Sequence, residues 1–523
     1  MINIGKLPVI IALSILATSC FYHVPMPPDE YERSISLEEG RKIAERKAKE
    51  TRLDLPADQP TSMTISRDGA ILTTLSRNRS LMVERFNPRI AATRAPELAA
   101  QFDPLLMATA SMGRSKVPVN EAQDRILSRN MGIDGRIVQY FPSGADVFLA
   151  GGFTRDRTEE PDWNYTGSWS VGVNQALLRG ASSDVNLISI VQARNSEKIS
   201  SYELDGFLLE LVLKVELAYW DLVLAKEKVK IREFSVKLAE EQLQLNNDFI
   251  LVGKLSPDAR VYAEAELASR QADLVDAQAD VRAKTIDLIR LFDPKHEDQW
   301  SIVFDTADPP EVEIVQINPA VSARLTDLYR PELSQVRLDQ VNKKLEVVRA
   351  RNGLLPKLDA FASYGRLSSG DSSSDAARYL DDSDFDNYEV GLNFELSPAN
   401  RAEKARHERA KLEEERARAA ISNLAQLIEA EVRRAVIEAQ RQAQRIPATG
   451  KVVESREEEL RIEKSRFRVG LSTNLDVLRI ERDFIQAQLD ELTARVRYIQ
   501  SLSALYYSEG TLLLRRGVDA GNQ

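Results

Sequence analysis

Apolar residues recur every seventh position through much of the chain and every second position in a few short stretches. Leu208, Val215, Leu222, Val229, Val236 and Leu243 form a strict heptad stripe. A period of seven held over that length predicts a long helix, about 182–250, that supercoils against partners. Ala218, Ala225 and Ala239 lie beside the stripe and let a neighbouring helix approach closely. The same spacing returns in Leu267, Leu274, Val281 and Leu288, and again in Leu478, Ile485, Leu492 and Ile499. One unit is also present twice. Val252-Gly253-Lys254-Leu255-Ser256 precedes a helix carrying Glu264, Val469-Gly470-Leu471-Ser472-Thr473 precedes one carrying Glu481, and each glutamate stands eleven residues past its glycine. In each copy a long helix ends on a glycine that supplies left-handed backbone, and a shorter helix returns.

The pattern places long helices over about 180–250 and 399–467, return helices over about 258–293 and 475–508, and further helices over 319–354 and near 65–100. Two short helices set end to end match one long one. At about 1.5 Å per residue each stack reaches on the order of 100 Å, which suits a compartment crossing. Pro447 and Gly450 fall within the second long helix and are read as a kink, because apolar spacing resumes toward Phe467.

Period two appears where Tyr388, Val390, Leu392, Phe394 and Leu396 alternate with Glu389, Gly391, Asn393 and Glu395. Leu358, Ala360, Ala362 and Tyr364 alternate less cleanly, and a weaker pair is expected near Phe102 to Arg114 and at Trp169, Val171 and Val173. The Ser- and Asp-rich stretch from Ser368 to Asp386 reads as an exposed loop. Residues 136–155 suggest a hairpin with no evident place in this scheme. Strands of nine or ten residues have the length of tilted membrane strands, although a soluble sheet with one wet face alternates in the same way. About four strands per chain cannot close a barrel, so a membrane-spanning form must be oligomeric.

Composition narrows the function. The 523 residues carry a net charge of -10 with 29% charged residues, which offers no basic patch and sets nucleic acid aside. His23, His296 and His407 are scattered, so neither a metal site nor a nucleophile–base arrangement appears; the chain reads as no enzyme, with no cofactor. Lys6, the apolar run Leu7 to Ala17, and Ala17-Thr18-Ser19-Cys20 have the parts of a secretory signal over residues 1–19. Cys20 is the one cysteine, and its setting resembles a bacterial lipobox; an ordinary signal with an incidental cysteine is the alternative. Residues 20–61 then form a tether, with Val24-Pro25-Met26-Pro27-Pro28 as extended spacer.

Phe102-Asp103-Pro104, Gln175-Ala176-Leu177-Leu178-Arg179-Gly180, Ala218-Tyr219-Trp220-Asp221-Leu222 and the two glycine tips occur in an order that resembles the TolC-like outer membrane efflux protein family, from about residue 62 to about 510. The resemblance implies a mainly α fold with membrane β: a coiled-coil helical barrel plus about four strands per chain in a homotrimeric twelve-stranded β-barrel. It divides the chain into one repeat over 62–310, a second over 311–510 and a tail over 511–523. It implies an outer-membrane conduit, extending into the periplasm, for tripartite efflux or type I secretion, set in outer-membrane lipid and joined by a periplasmic adaptor to an inner-membrane pump. Adaptor docking maps to Gly253, Leu255, Ser256, Gly470, Leu471, Ser472 and Thr473, unless these turns merely reverse the chain. The periplasmic gate maps to Phe467 and Asp476, unless Asp476 simply charges the first turn of its helix. A lipidated periplasmic coiled-coil adaptor and a structural envelope protein are the other readings.

Overall fold

The computed structural model describes residues 62–118, 125–158, 162–294, 297–382 and 386–518. The signal, the tether with Cys20, and His23 and His296 lie outside the described residues. In chain order the structure runs β1 (Ser62–Ile65), α1 (Arg67–Arg77), α2 (Arg79–Glu84), α3 (Phe86–Ala92), α4 (Arg94–Ala99), β2 (Leu105–Pro118), β3 (Arg125–Tyr140), β4 (Ala145–Thr158) and β5 (Asn164–Ala176). There follow α5 (Ser183–Asn186), α6 (Ile188–Leu251), α7 (Asp258–Leu291), β6 (Val303–Thr306), α8 (Pro319–Tyr329), α9 (Pro331–Gly353) and β7 (Lys357–Gly370). The chain closes with α10 (Ser373–Asp382), β8 (Asp386–Glu395), α11 (Arg401–Arg468), α12 (Asn474–Glu509) and α13 (Leu512–Arg516). Among the described residues no helix is long and apolar enough to cross a membrane.

Two compact units share these elements, and the first joins residues 88–199 with 336–420. It holds one antiparallel sheet of six strands in the order β2-β3-β4-β5-β7-β8. All four expected strands are present. The unplaced 136–155 segment is a hairpin of two further long strands, so the chain contributes six strands to this sheet and not about four. Its chain reversal is tight: Gly144 takes φ +77, and its N–H donates to the Phe141 carbonyl at 3.0 Å. The expected loop after β7 contains α10, whose Ser372 hydroxyl accepts the Asp375 N–H at 3.2 Å.

Among the described residues the second unit draws on 62–87, 200–335 and 421–518. Its main core gathers Leu208, Val215, Tyr219 and Leu222 of α6 with Leu288 of α7, Val496 of α12 and Leu512 of α13. The upper half of the heptad stripe is therefore buried, whereas Val229, Val236 and Leu243 are half-buried. A parallel pair of four-residue strands, β1 with β6, also belongs to this unit and was not foreseen. Beside it the Tyr219 hydroxyl donates to the Asp308 carboxylate at 2.7 Å, and burial together with that bond raises the phenol above its usual pKa.

Two helix expectations need correction. The N-terminal helix near 65–100 is four short pieces, because Asn78 leaves the helix at ψ 119 and its side chain caps α2 by accepting the Leu81 N–H at 2.9 Å. The segment 319–354 is two helices, stepped at Arg330, which is extended at ψ 114 as the residue before a proline tends to be. The second long helix, by contrast, passes through Pro447 without ending. There Thr449 donates its hydroxyl to the Arg445 carbonyl at 2.9 Å, tying the turn beside the missing N–H.

Candidate functional site

Side chains directly opposite each other on paired strands share a sheet face, so the register of the six strands sorts every strand residue. One face carries Leu106, Ala108, Ala110 and Met112 of β2, then Met131, Ile133 and Ile137 of β3, and Val147, Leu149 and Phe153 of β4. It continues with Trp169, Val171 and Val173 of β5, Leu358, Ala360, Ala362 and Tyr364 of β7, and Tyr388, Val390, Leu392 and Phe394 of β8. The opposite face carries Thr109, Ser111, Asn130, Asp134, Arg136, Asp146, Thr154, Asp156, Ser168, Ser170, Asn174, Asp359, Ser363, Glu389, Asn393 and Glu395; the sorting has exceptions, with Leu105, Met107, Val138, Phe148 and Phe361 on this face and Gln139, Arg155 and Arg366 on the apolar one.

The apolar face is uncovered over much of its area: Met112 is 80% exposed, Val390 76% and Leu392 67%. An apolar surface that spans six strands is far larger than a soluble sheet leaves in water. On this face Trp169 and Tyr364 meet edge to face at 5.7 Å. Arg114, Arg129 and Arg157 stand in one register row beyond them. An apolar band that ends on a row of charged residues is how a membrane strand meets the lipid–water interface. The polar face is tied internally, with Asn174 donating to Asp146 at 3.1 Å and the Arg136 guanidinium over the Phe148 ring at 4.5 Å. Among the described residues, β2 and β8 each pair with one neighbour only, so both ends of the sheet are edges.

The second unit contains both helix tips. At the first, α6 ends at Leu251, Gly253 takes φ +72, and the Lys254 N–H donates to the Phe249 carbonyl at 2.8 Å. At the second, Gly470 takes φ +80 and the Leu471 N–H donates to the Arg466 carbonyl at 2.9 Å. Both are the glycine C-terminal turn read from the repeat. A Cβ at either glycine would meet nothing within 4 Å, so the left-handed backbone alone selects the residue. Leu255 and Ser256 connect the first turn to α7. Ser472 donates its hydroxyl to Glu463, and Leu471 is 70% exposed.

The structure separates the two residues assigned to the gate. Phe467 is 3% exposed, its ring 5.6 Å from that of Phe249, so within the chain it packs one tip on the other. Asp476 is exposed and closes a capping box: its carboxylate accepts from the Thr473 hydroxyl at 2.6 Å and the Thr473 N–H at 3.3 Å. Those two bonds hold its pKa below the usual carboxylate range, with Arg479 and Arg466 adding to the effect. Asp476 thus caps and charges the first turn of its own helix.

Sequence reasoning missed what binds the tips together. Glu481 is fully buried, 3.2 Å from Arg270 of α7 and 2.8 Å from Lys464 of α11. Arg270 also donates to the Ser235 carbonyl of α6 at 3.1 Å, so one ionic cluster engages all four helices. Nearer the turns, Gln242 donates to Asn246 at 2.9 Å and to Asn474 at 3.1 Å, all three buried. The clue was polar side chains standing in the buried row of α6. Glu264, the repeat partner of Glu481, is exposed and pairs with Arg260 at 2.7 Å.

Comparison with known proteins adds four likenesses. Residues 326–511 match the Outer membrane efflux protein family. The Proteases secretion protein PrtF of Dickeya chrysanthemi is 24% identical over 308 residues, 58% of this chain and 64% of that protein. The chain thus spans just under two thirds of that relative's length. Among solved structures, the outer membrane protein VceC from Vibrio cholerae is 18% identical with TM-score 0.61, covering 85% of this chain and 96% of that one. The Campylobacter jejuni CmeC outer membrane channel is 14% identical with TM-score 0.61, covering 96% of this chain and 95% of that one. The fold is therefore TolC-like, and nothing in these likenesses supports the adaptor reading.

Proposed function

We infer that this chain, which carries an outer membrane efflux protein domain within a TolC-like fold, is the outer-membrane conduit of a tripartite efflux or type I secretion system. The observation that carries this reading is the sorted sheet: six membrane-length strands with one continuous apolar face, one polar face and two open edges. Open edges in lipid leave backbone groups unpaired, at several kcal/mol each, so copies must join edge to edge around water. We take the assembly to be a homotrimer in the outer membrane, its helical part in the periplasm, anchored further by an acylated Cys20. Transport through it is passive, and an inner-membrane pump reached through a periplasmic adaptor supplies the work.

Adaptor docking falls on the exposed tip turns at Gly253, Leu255, Ser256, Gly470, Leu471, Ser472 and Thr473, with Asp476 lending negative charge beside them. A β-branched residue forced to φ +80 is strained by roughly 1–2 kcal/mol, whereas asparagine accepts that backbone. Gly470→Val should therefore leave trimers intact but cut adaptor cross-linking and export severalfold, and Gly470→Asn should keep both. Full cross-linking and export in the valine variant would remove the tip from the docking surface.

A further inference from the structure

We infer that three copies of this chain close an eighteen-stranded barrel, with the hairpin β3–β4 built into its wall. The inference rests on the homotrimeric conduit proposed above and fixes what each copy brings to it.

Four observations converge. First, β3 pairs with β2 from Arg125 to Val138, and β4 pairs with β5 from Ala145 to Asp156, so the hairpin fills the space between β2 and β5. Those two strands make no ladder with each other. Second, the hairpin keeps the same alternation as the rest of the sheet. Ile133, Ile137, Val147, Leu149 and Phe153 extend the apolar face, while Asp134, Arg136, Asp146 and Asp156 extend the polar one. A hairpin folded into a watery bore or standing clear of the membrane would have no use for an apolar face, and Ile133 is 67% exposed on it.

Third, strand direction alternates across the sheet from β2 to β8, because all five pairings are antiparallel. The β8 edge of one copy therefore meets the β2 edge of the next in antiparallel sense, and the joint continues the pattern without a parallel mismatch. Fourth, the chain enters or leaves the sheet beside Leu105, Ala176, Lys357 and Glu395, which lie at one end in register. The added hairpin turns at Phe141–Gly144 on that same end. Its insertion lengthens the wall without moving any helix connection to the other side.

The consequence is width. With strands about 4.8 Å apart and tilted by about 40°, eighteen strands give a backbone diameter of about 36 Å, against about 24 Å for twelve. Inward side chains take about 5 Å on each side, half the usual spacing of packed sheets. The free bore is then about 26 Å and not about 14 Å. Since a helix with its side chains is about 10–12 Å across, the exit has room for a helical hairpin abreast, where twelve strands would pass a single helix.

Electron cryomicroscopy of the full-length protein in lipid nanodiscs tests this directly by counting strands in cross-section. Eighteen is expected. A trimeric barrel of twelve, with residues 125–158 outside the wall or inside the bore, overturns the inference while leaving the conduit intact; a particle with no barrel overturns the conduit itself. Polymer exclusion gives a second readout with residues 125–158 deleted, which joins β2 to β5 by a loop. The size limit for polymers entering from the loop side should fall by nearly half in diameter, from about 26 Å to about 14 Å, because the inward side chains take the same depth from the narrower wall. An unchanged limit in a conducting deletion variant would count against a wall position for the hairpin.

Discussion

Replacing Glu481 with alanine should open the four-helix tip region, with hydrogen exchange rising along α12 from Asn474 and along the start of α7. The carboxylate is fully buried and faces Arg270, itself only 5% exposed on its side chain. Removing one partner of a buried pair leaves the other charge uncompensated, at about 3–5 kcal/mol. Arg270 keeps Glu266 at 3.0 Å and the Ser235 carbonyl, which favours the lower end of that range. Two controls separate charge from packing. The double change Arg270→Met with Glu481→Leu should cost far less than Glu481→Ala, because it removes the two fully buried charges and retains volume, while Lys464 and Glu266, each partly exposed, can turn to water. Glu264→Ala, at the equivalent position of the first repeat, should stay within about 0.5 kcal/mol, since its ion pair with Arg260 is on the surface. Unchanged exchange in Glu481→Ala would show that the cluster does not hold the tips.

Val171→Arg should sharply reduce assembled protein in the outer membrane, and Ser170→Arg should not. The two residues are adjacent in β5 and differ only in face. Val171 lies between Leu149 and Tyr364 in the middle of the apolar band, and Ser170 between Ala150 and Gly365 on the polar side. An arginine at the lipid midplane of a barrel costs about 2–4 kcal/mol, while the lumen side tolerates it. The measure is the heat-labile trimer recovered from salt-washed outer membranes. Equal recovery of both variants would mean that this face does not meet lipid.

Much of this fold was legible in the sequence, for reasons that differ between elements. Long helices, glycine tips and the last strand each rest on local periodicity, so Leu208 to Leu222, Gly253, Gly470 and Tyr388 to Phe394 could be read directly. The hairpin strands were harder. Gly135, Gly151, Gly152 and the charges at Arg155 and Arg157 dilute their alternation, and only the register with neighbours shows which face each residue takes. Strands β1 and β6 have four residues each, too few for a period to emerge, and they pair across 241 positions of sequence. The breaks at Asn78 and Arg330 were written in their residue types, a capping asparagine and a residue before proline, but matching segment lengths to the long helices concealed them. Of the tip chemistry, the turns were visible because glycine has a local reason to be there. The Arg270–Glu481–Lys464 cluster was not, since three charges on three helices carry no mark of their meeting. Phe467 is instructive in the same way: sequence placed it at the tip, whereas its burial against Phe249 depends on the other hairpin.

The most direct test of a water-filled conduit is the conductance of the purified, full-length protein in a planar bilayer. Stable ion-conducting steps from a trimeric species are expected, since the polar sheet face must surround water once the apolar face meets lipid. A protein that enters the bilayer as a trimer yet passes no current, or that stays monomeric and never enters it, would contradict the central claim.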